Sequence, residues 1–194
     1  GMAKSRDFLG RIQLYSSGKA VSKKLVEAGH FGIPVNDKRV DSLGDTIDII
    51  PVARRAKAID MSGESVVCNY DPNSTTFNDI KERSGKPNSS CQYGVSFLVI
   101  ERTTGNMFEI YFGTASSRPV ARDLYAHLPI DAAMAKERGV APKGPTPCSL
   151  KSRFIETPKY SWWAPEFKEC VTPFNKVPDT DRINAEIERF LAEK

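Results

Sequence analysis

Tyr93-Gly-Val-Ser-Phe-Leu-Val-Ile-Glu-Arg102, Thr103-Thr-Gly105 and Asn106-Met-Phe-Glu-Ile-Tyr-Phe-Gly113 follow one another near the middle of the chain. Two apolar, aromatic runs joined by three residues ending in glycine are the signature of a β-hairpin. In the second run Phe108, Ile110 and Phe112 fall on one face of the strand and Met107, Glu109 and Tyr111 on the other. This hairpin is the clearest element the sequence offers.

Working outward, Thr46 to Asp60 is β-branched at its start and then alternates Arg55 and Lys57 with small neighbours, which predicts a long strand with one polar face. Pro51 within it must sit at an edge or a bulge. Glu64 to Tyr70 reads as a short strand, and Ser74 or Thr75 as the cap of a helix over Phe77 to Arg83. Beyond the hairpin, Ser117-Arg-Pro119 opens an amphipathic helix with Val120, Leu124 and Leu128 on one face. A second short helix is expected from Asp131 to Arg138, ahead of Gly139. Cys148 to Phe154 predicts a half-buried strand with Lys151 and Arg153 outward. Tyr160 to Trp163 and Phe167 to Phe174 read as strand material broken at Ala164-Pro165. The end of the chain, Asp179 to Lys194, places Ile183, Ile187, Phe190 and Leu191 on one helical face.

This order predicts a mainly β fold with two or three helices, built as an OB-like Greek-key barrel. The helix from Arg118 follows at least four candidate strands, so the match requires an extra strand, and a β-sandwich with flanking helices satisfies the same pattern. The expected organisation is a basic N-terminal segment (1–40), a β-rich domain (41–175) and a C-terminal amphipathic helix (176–194) packed on the domain or on a partner.

The 194 residues carry a net charge of only +4, so charge placement matters more than its sum. Lys4, Arg6, Arg11, Lys19, Lys23, Lys24, Lys38 and Arg39 face only Asp7, Glu27 and Asp37 in the first forty residues. Gly1 ahead of Met2 reads as a remnant of tag removal. No apolar run approaches the roughly 20 residues of a membrane span, and the polar start has no signal-peptide core; the expected location is the cytoplasm. Cys68, Cys91, Cys148 and Cys170 lack metal-ligand spacing, although a disulfide across the fold stays open. His30 and His127 have no serine, cysteine or carboxylate at a recognisable catalytic spacing, and the glycines between Val26 and Gly32 make no phosphate loop. Asp48, Glu101 and Glu109 are the carboxylates from which a divalent-metal nuclease site would have to be assembled. The expectation is no cofactor and no catalysis.

Cations and rings coincide in three places: Arg54, Arg55 and Lys57; Arg118 and Arg122 beside Tyr111-Phe112; and Lys151, Arg153, Lys159, Tyr160, Trp162 and Trp163. Cations that follow phosphates and rings that stack on bases are what holds a single strand of nucleic acid. The third place has both within a dozen residues, and adjacent Trp162 and Trp163 must point to opposite faces of a strand.

Pro51-Val-Ala-Arg-Arg-Ala-Lys-Ala-Ile-Asp60, Cys91-Gln-Tyr-Gly-Val-Ser-Phe-Leu-Val99, Tyr111-Phe-Gly-Thr-Ala-Ser-Ser-Arg118 and Lys159-Tyr-Ser-Trp162 resemble segments of a group of small tailed-bacteriophage proteins similar to phage OB-fold single-stranded DNA-binding proteins. The resemblance spans about residues 40 to 175. It implies a non-catalytic role in phage DNA replication or recombination in the host cytoplasm, with a homo-oligomer or replication proteins as further partners. The alternative is a phage structural or assembly protein acting through protein contacts. Phage single-strand binders end in a flexible acidic tail, whereas this chain ends in a mildly acidic amphipathic helix.

Overall fold

In the computed structural model, which describes residues 9–170 and 172–193, nine strands form one mixed sheet. They are β1 (Arg11–Leu14), β2 (Phe31–Asn36), β3 (Arg39–Gly44), β4 (Thr46–Asp60), β5 (Val66–Asn69), β6 (Cys91–Glu101), β7 (Met107–Phe112), β8 (Cys148–Glu156) and β9 (Ser161–Glu169). Their spatial order is β3-β2-β1-β7-β6-β4-β8-β9, with β5 beside the far end of β4. Only the β1–β7 pair is parallel. Among the described residues no ladder joins β3 to β9, so the sheet is open.

The expected two or three helices become five among the described residues: α1 (Lys19–Ser22), α2 (Thr75–Ser84), α3 (Arg118–Ala126), α4 (Ala132–Arg138) and α5 (Thr180–Ala192). The single turn α1 is too short to show a period in sequence. The basic stretch before residue 41 supplies β1 and β2 to the same sheet, with Ile12 and Phe31 in its core; Lys4 and Arg6 lie outside the described residues. No helix among the described residues is long and apolar enough to cross a membrane.

The central hairpin forms as its sequence dictates. Gly105 holds φ +66°, a conformation that L side chains rarely adopt. Glu101, buried at the turn, accepts the N–H groups of Thr103 at 2.6 Å and Thr104 at 2.8 Å. Ser74 caps α2 by accepting the Phe77 N–H at 3.1 Å, and Gly139 ends α4 in the left-handed region. Pro165 does not break β9, contrary to expectation, because β9 is an edge strand and its missing N–H leaves no ladder bond unmade.

One irregularity decides which residues share a face. The β4–β6 register slips between Pro51 and Ala53, so Val52 is an extra residue in the ladder. Because side chains alternate with period two, one inserted residue moves every later side chain to the opposite face. Ile47 and Ile49 pack with Phe97, Val99, Phe108, Ile110 and Phe112 on the first face. After the bulge it is Arg54, paired with Phe97, that stays on that face, while Arg55 and Lys57 turn to the reverse.

α3 seals the first face by burying Val120 and Leu124 against this cluster. α2 covers the same face farther along β4 and β6, placing Phe77 and Ile80 against Ala58 and Cys91. On the reverse face α5 packs Ile183, Ile187 and Phe190 against Ile50, Val52, Ala53, Leu98, Ile100 and Met107. The terminal helix therefore docks on the domain, but Leu191, expected on its apolar face, is exposed: it follows Phe190 directly and is turned about 100° from it.

Candidate functional site

Between α2 and α3 the first face of the sheet stays open as a cleft of about 810 Å³. Ala56 and Val95, cross-strand partners on β4 and β6, form its floor together with Phe112. Arg118, Ala121, Arg122 and Tyr125 of α3 make one wall; Tyr93 stands opposite, and Arg54 rises from β4. The spacing of Arg118, Arg122 and Tyr125 is i, i+4, i+7, one stripe of a helix whose other stripe, Val120 and Leu124, is buried. That stripe is the sequence signal that would have found Tyr125.

The two rings are fixed by their neighbours. Arg54 Cζ lies 5.0 Å from the Tyr125 ring centroid, and Lys81 Nζ of α2 lies 4.8 Å from that of Tyr93. Tyr93 also meets Phe77 edge to face at 6.1 Å. Arg54, Arg118 and Arg122 are exposed, and among the described residues no carboxylate lines the cleft with them. None of the three makes a salt bridge among the described residues, so their charge is available to a ligand.

Arg55 and Lys57 stand apart from these. Both are buried, and both bond Glu109 Oε2, Arg55 Nη2 at 3.1 Å and Lys57 Nζ at 2.6 Å. Arg55 also donates to the Phe190 carbonyl, stacks on the Phe190 ring at 4.0 Å and reaches Glu193 at 3.4 Å. Burial raises the Glu109 carboxyl, but Lys57 and then Arg55 outweigh it and hold the group below its ordinary value. Arg55 ties the terminal helix to the sheet, Lys57 braces the same carboxylate, and neither cation faces solvent.

The third sequence cluster lies on the β8–β9 hairpin. Lys151, Arg153, Lys159 and Tyr160 are exposed, Tyr160 most of all at 72%. Trp162 is half-buried and donates its indole N–H to Ser116 Oγ at 3.3 Å. Trp163 turns the other way, with Phe154 at 5.1 Å and its ring against Gly29. Gly29 is required there, since its φ is +87° and a Cβ would lie 2.9 Å from the indole.

The groups considered for catalysis do not converge. Asp48 accepts from Ser149 and faces Arg102 at 3.8 Å, Glu101 closes its turn, and Glu109 is held between Arg55 and Lys57. No three His, Cys, Asp or Glu residues among those described are placed to hold a metal. All four cysteines are free thiols, and burial pushes Cys148 up to about 12, so it stays protonated at neutral pH. The fold does bring His30 Nδ1 within 3.1 Å of Ser42 Oγ and His30 Nε2 within 3.3 Å of Glu27, contacts that chain spacing did not announce. Glu27 is 81% exposed and Ser42 Oγ also accepts the Gly44 N–H, so this trio is a solvated surface link between β3 and the turn before β2. His127 meets the Phe167 ring at a tilt, with centroids 5.1 Å apart.

The chain matches no protein-family model, no characterised protein and no solved structure.

Proposed function

We propose that the protein binds single-stranded nucleic acid, DNA by preference, in the cleft between α2 and α3 and without catalysis. The observation that carries this reading is the convergence of Arg54, Arg118 and Arg122, none of them paired with a carboxylate among the described residues, above an apolar floor flanked by Tyr93 and Tyr125. Phosphates need the cations; unpaired bases need the rings and the floor. Duplex bases are already stacked on one another and cannot offer their faces to tyrosines. The curl of the sheet, which sets the Trp163 N–H of β9 on Ser16 Oγ after β1 at 2.9 Å, supports reading the fold as an opened relative of the OB barrel. A place in phage DNA replication or recombination, in the host cytoplasm, follows from the resemblance of the β4, β6 and β7 segments.

The test is a fluorescence-anisotropy titration with labelled oligothymidylate at low salt. Each arginine–phosphate contact contributes about 1 kcal/mol net, so replacing Arg54, Arg118 and Arg122 together by Gln weakens binding roughly 100-fold. The logarithmic salt slope falls by about 2, at about 0.7 per phosphate released from a single strand. Equal affinity of the variant and the native protein would sink the cleft as the site.

A second reading, an assembly component acting through protein contacts, is favoured by one other feature. β5 pairs on one side only among the described residues, and Met61, Val66, Val67 and Tyr70 around it are exposed. It requires a stable oligomer by light scattering that Val67→Lys dissociates. A monomer throughout the accessible concentration range removes it.

A further inference from the structure

We propose that the strand held in the cleft continues over the N-terminal end of α3 onto the outer face of the β8–β9 hairpin, making one bipartite site; this rests on the cleft reading above. The register of the hairpin pairs Lys151 with Glu166, Arg153 with Ala164 and Ile155 with Trp162. Paired residues share a face, so Trp162 stands on the same side as Lys151 and Arg153, while Trp163 and Phe154 face the other way.

The two parts meet at Ser116. Its hydroxyl takes the Trp162 indole N–H, and two residues later Arg118 lines the cleft. A strand leaving the cleft past Arg118 thus meets the half-buried Trp162 and then exposed Lys159 and Tyr160 at the hairpin tip. Binding there is weaker than in the cleft. Glu166 already engages Arg153 at 3.7 Å and Lys168 at 2.9 Å and lies across the ladder from Lys151, so part of the hairpin's positive charge is already spent. The cleft is the anchor and the hairpin an extension, felt only by a ligand long enough to span both.

The experiment compares oligothymidylates of about 4 and about 16 nucleotides, the range of site sizes for single-strand-binding folds. Anisotropy and tryptophan emission are read together. The long oligomer binds at least about ten-fold tighter than the short one, as one added base stack implies, and it alone quenches tryptophan. Lys159→Ala with Tyr160→Ala, both exposed, lowers the long-to-short affinity ratio about ten-fold. Trp162→Phe removes the quench and leaves Trp163 as the remaining emitter. An undiminished ratio in the exposed double variant, or a full quench in Trp162→Phe, overturns the bipartite path while the cleft reading stands. Failure of both oligomers to bind the native protein overturns the cleft reading and this one with it.

Discussion

Glu109→Gln is expected to lower the free energy of unfolding by about 3–5 kcal/mol, the cost of leaving buried charge without its partner. A single carboxylate oxygen serves both Arg55 and Lys57, with Glu109 and the two cations all largely removed from solvent. The amide of Gln still accepts one hydrogen bond, but Arg55 then keeps only the exposed Glu193 as a carboxylate partner among the described residues, and Lys57 keeps none. Urea unfolding followed by circular dichroism measures the change, and a loss under about 1 kcal/mol would show that water reaches the trio freely. The comparison variant replaces all three groups at once, Arg55→Met, Lys57→Met and Glu109→Leu. A packed apolar trio is expected to restore native stability or exceed it by about 1–4 kcal/mol. The pH dependence has a definite sign. The folded carboxyl lies below its ordinary 4.5, so the unfolded chain binds the proton first as pH falls. The stabilisation is fully present above the ordinary value and is lost as pH drops through the depressed one. Glu109→Gln flattens that part of the acid limb.

The same trio shows where reading side chains along a chain stops being sufficient. Alternation correctly set Arg55 and Lys57 on one face of a strand running from Thr46 to Asp60. It could not say which face, because the bulge at Val52 resets the phase, and proline marks a bulge without stating where the extra residue falls. Nor could it say that a helix more than a hundred residues later would lie across them. Elements set by local chemistry were legible: the hairpin through Thr103-Thr-Gly105, the Ser74 cap, Pro119 opening α3, and Gly139 ending α4. Those that depend on position in the sheet were not. Pro165 reads as a break unless β9 is known to be an edge. The cleft was half legible. Arg54, Arg118 and Arg122 were singled out in two separate groups, but Tyr93 and Tyr125 acquire a role only when β6 and α3 bring them to the same opening.

Leu124→Ala is expected to cost about 2–5 kcal/mol and also to weaken oligonucleotide binding at temperatures where the protein is still folded. α3 has nine residues, too few to hold as a helix in water without docking. Its docking rests on Val120 and Leu124, the latter fully buried among the core side chains of the first face. Removing the leucine leaves a cavity under the turn between Arg122 and Tyr125, and the helix must shift or fray to fill it. The opposite stripe of that helix carries the cleft wall, so the loss of packing becomes a loss of arginine placement. Met107→Ala is the control. Met107 is also buried, at 5% exposure, but on the reverse face beneath α5, and its truncation is expected to fall in the same range of stability. Affinity that falls in Leu124→Ala and holds in Met107→Ala ties the site to the docking of α3. Equal losses in the two would mean that affinity follows global stability instead. No loss in either would place the ligand somewhere other than the face that α3 seals.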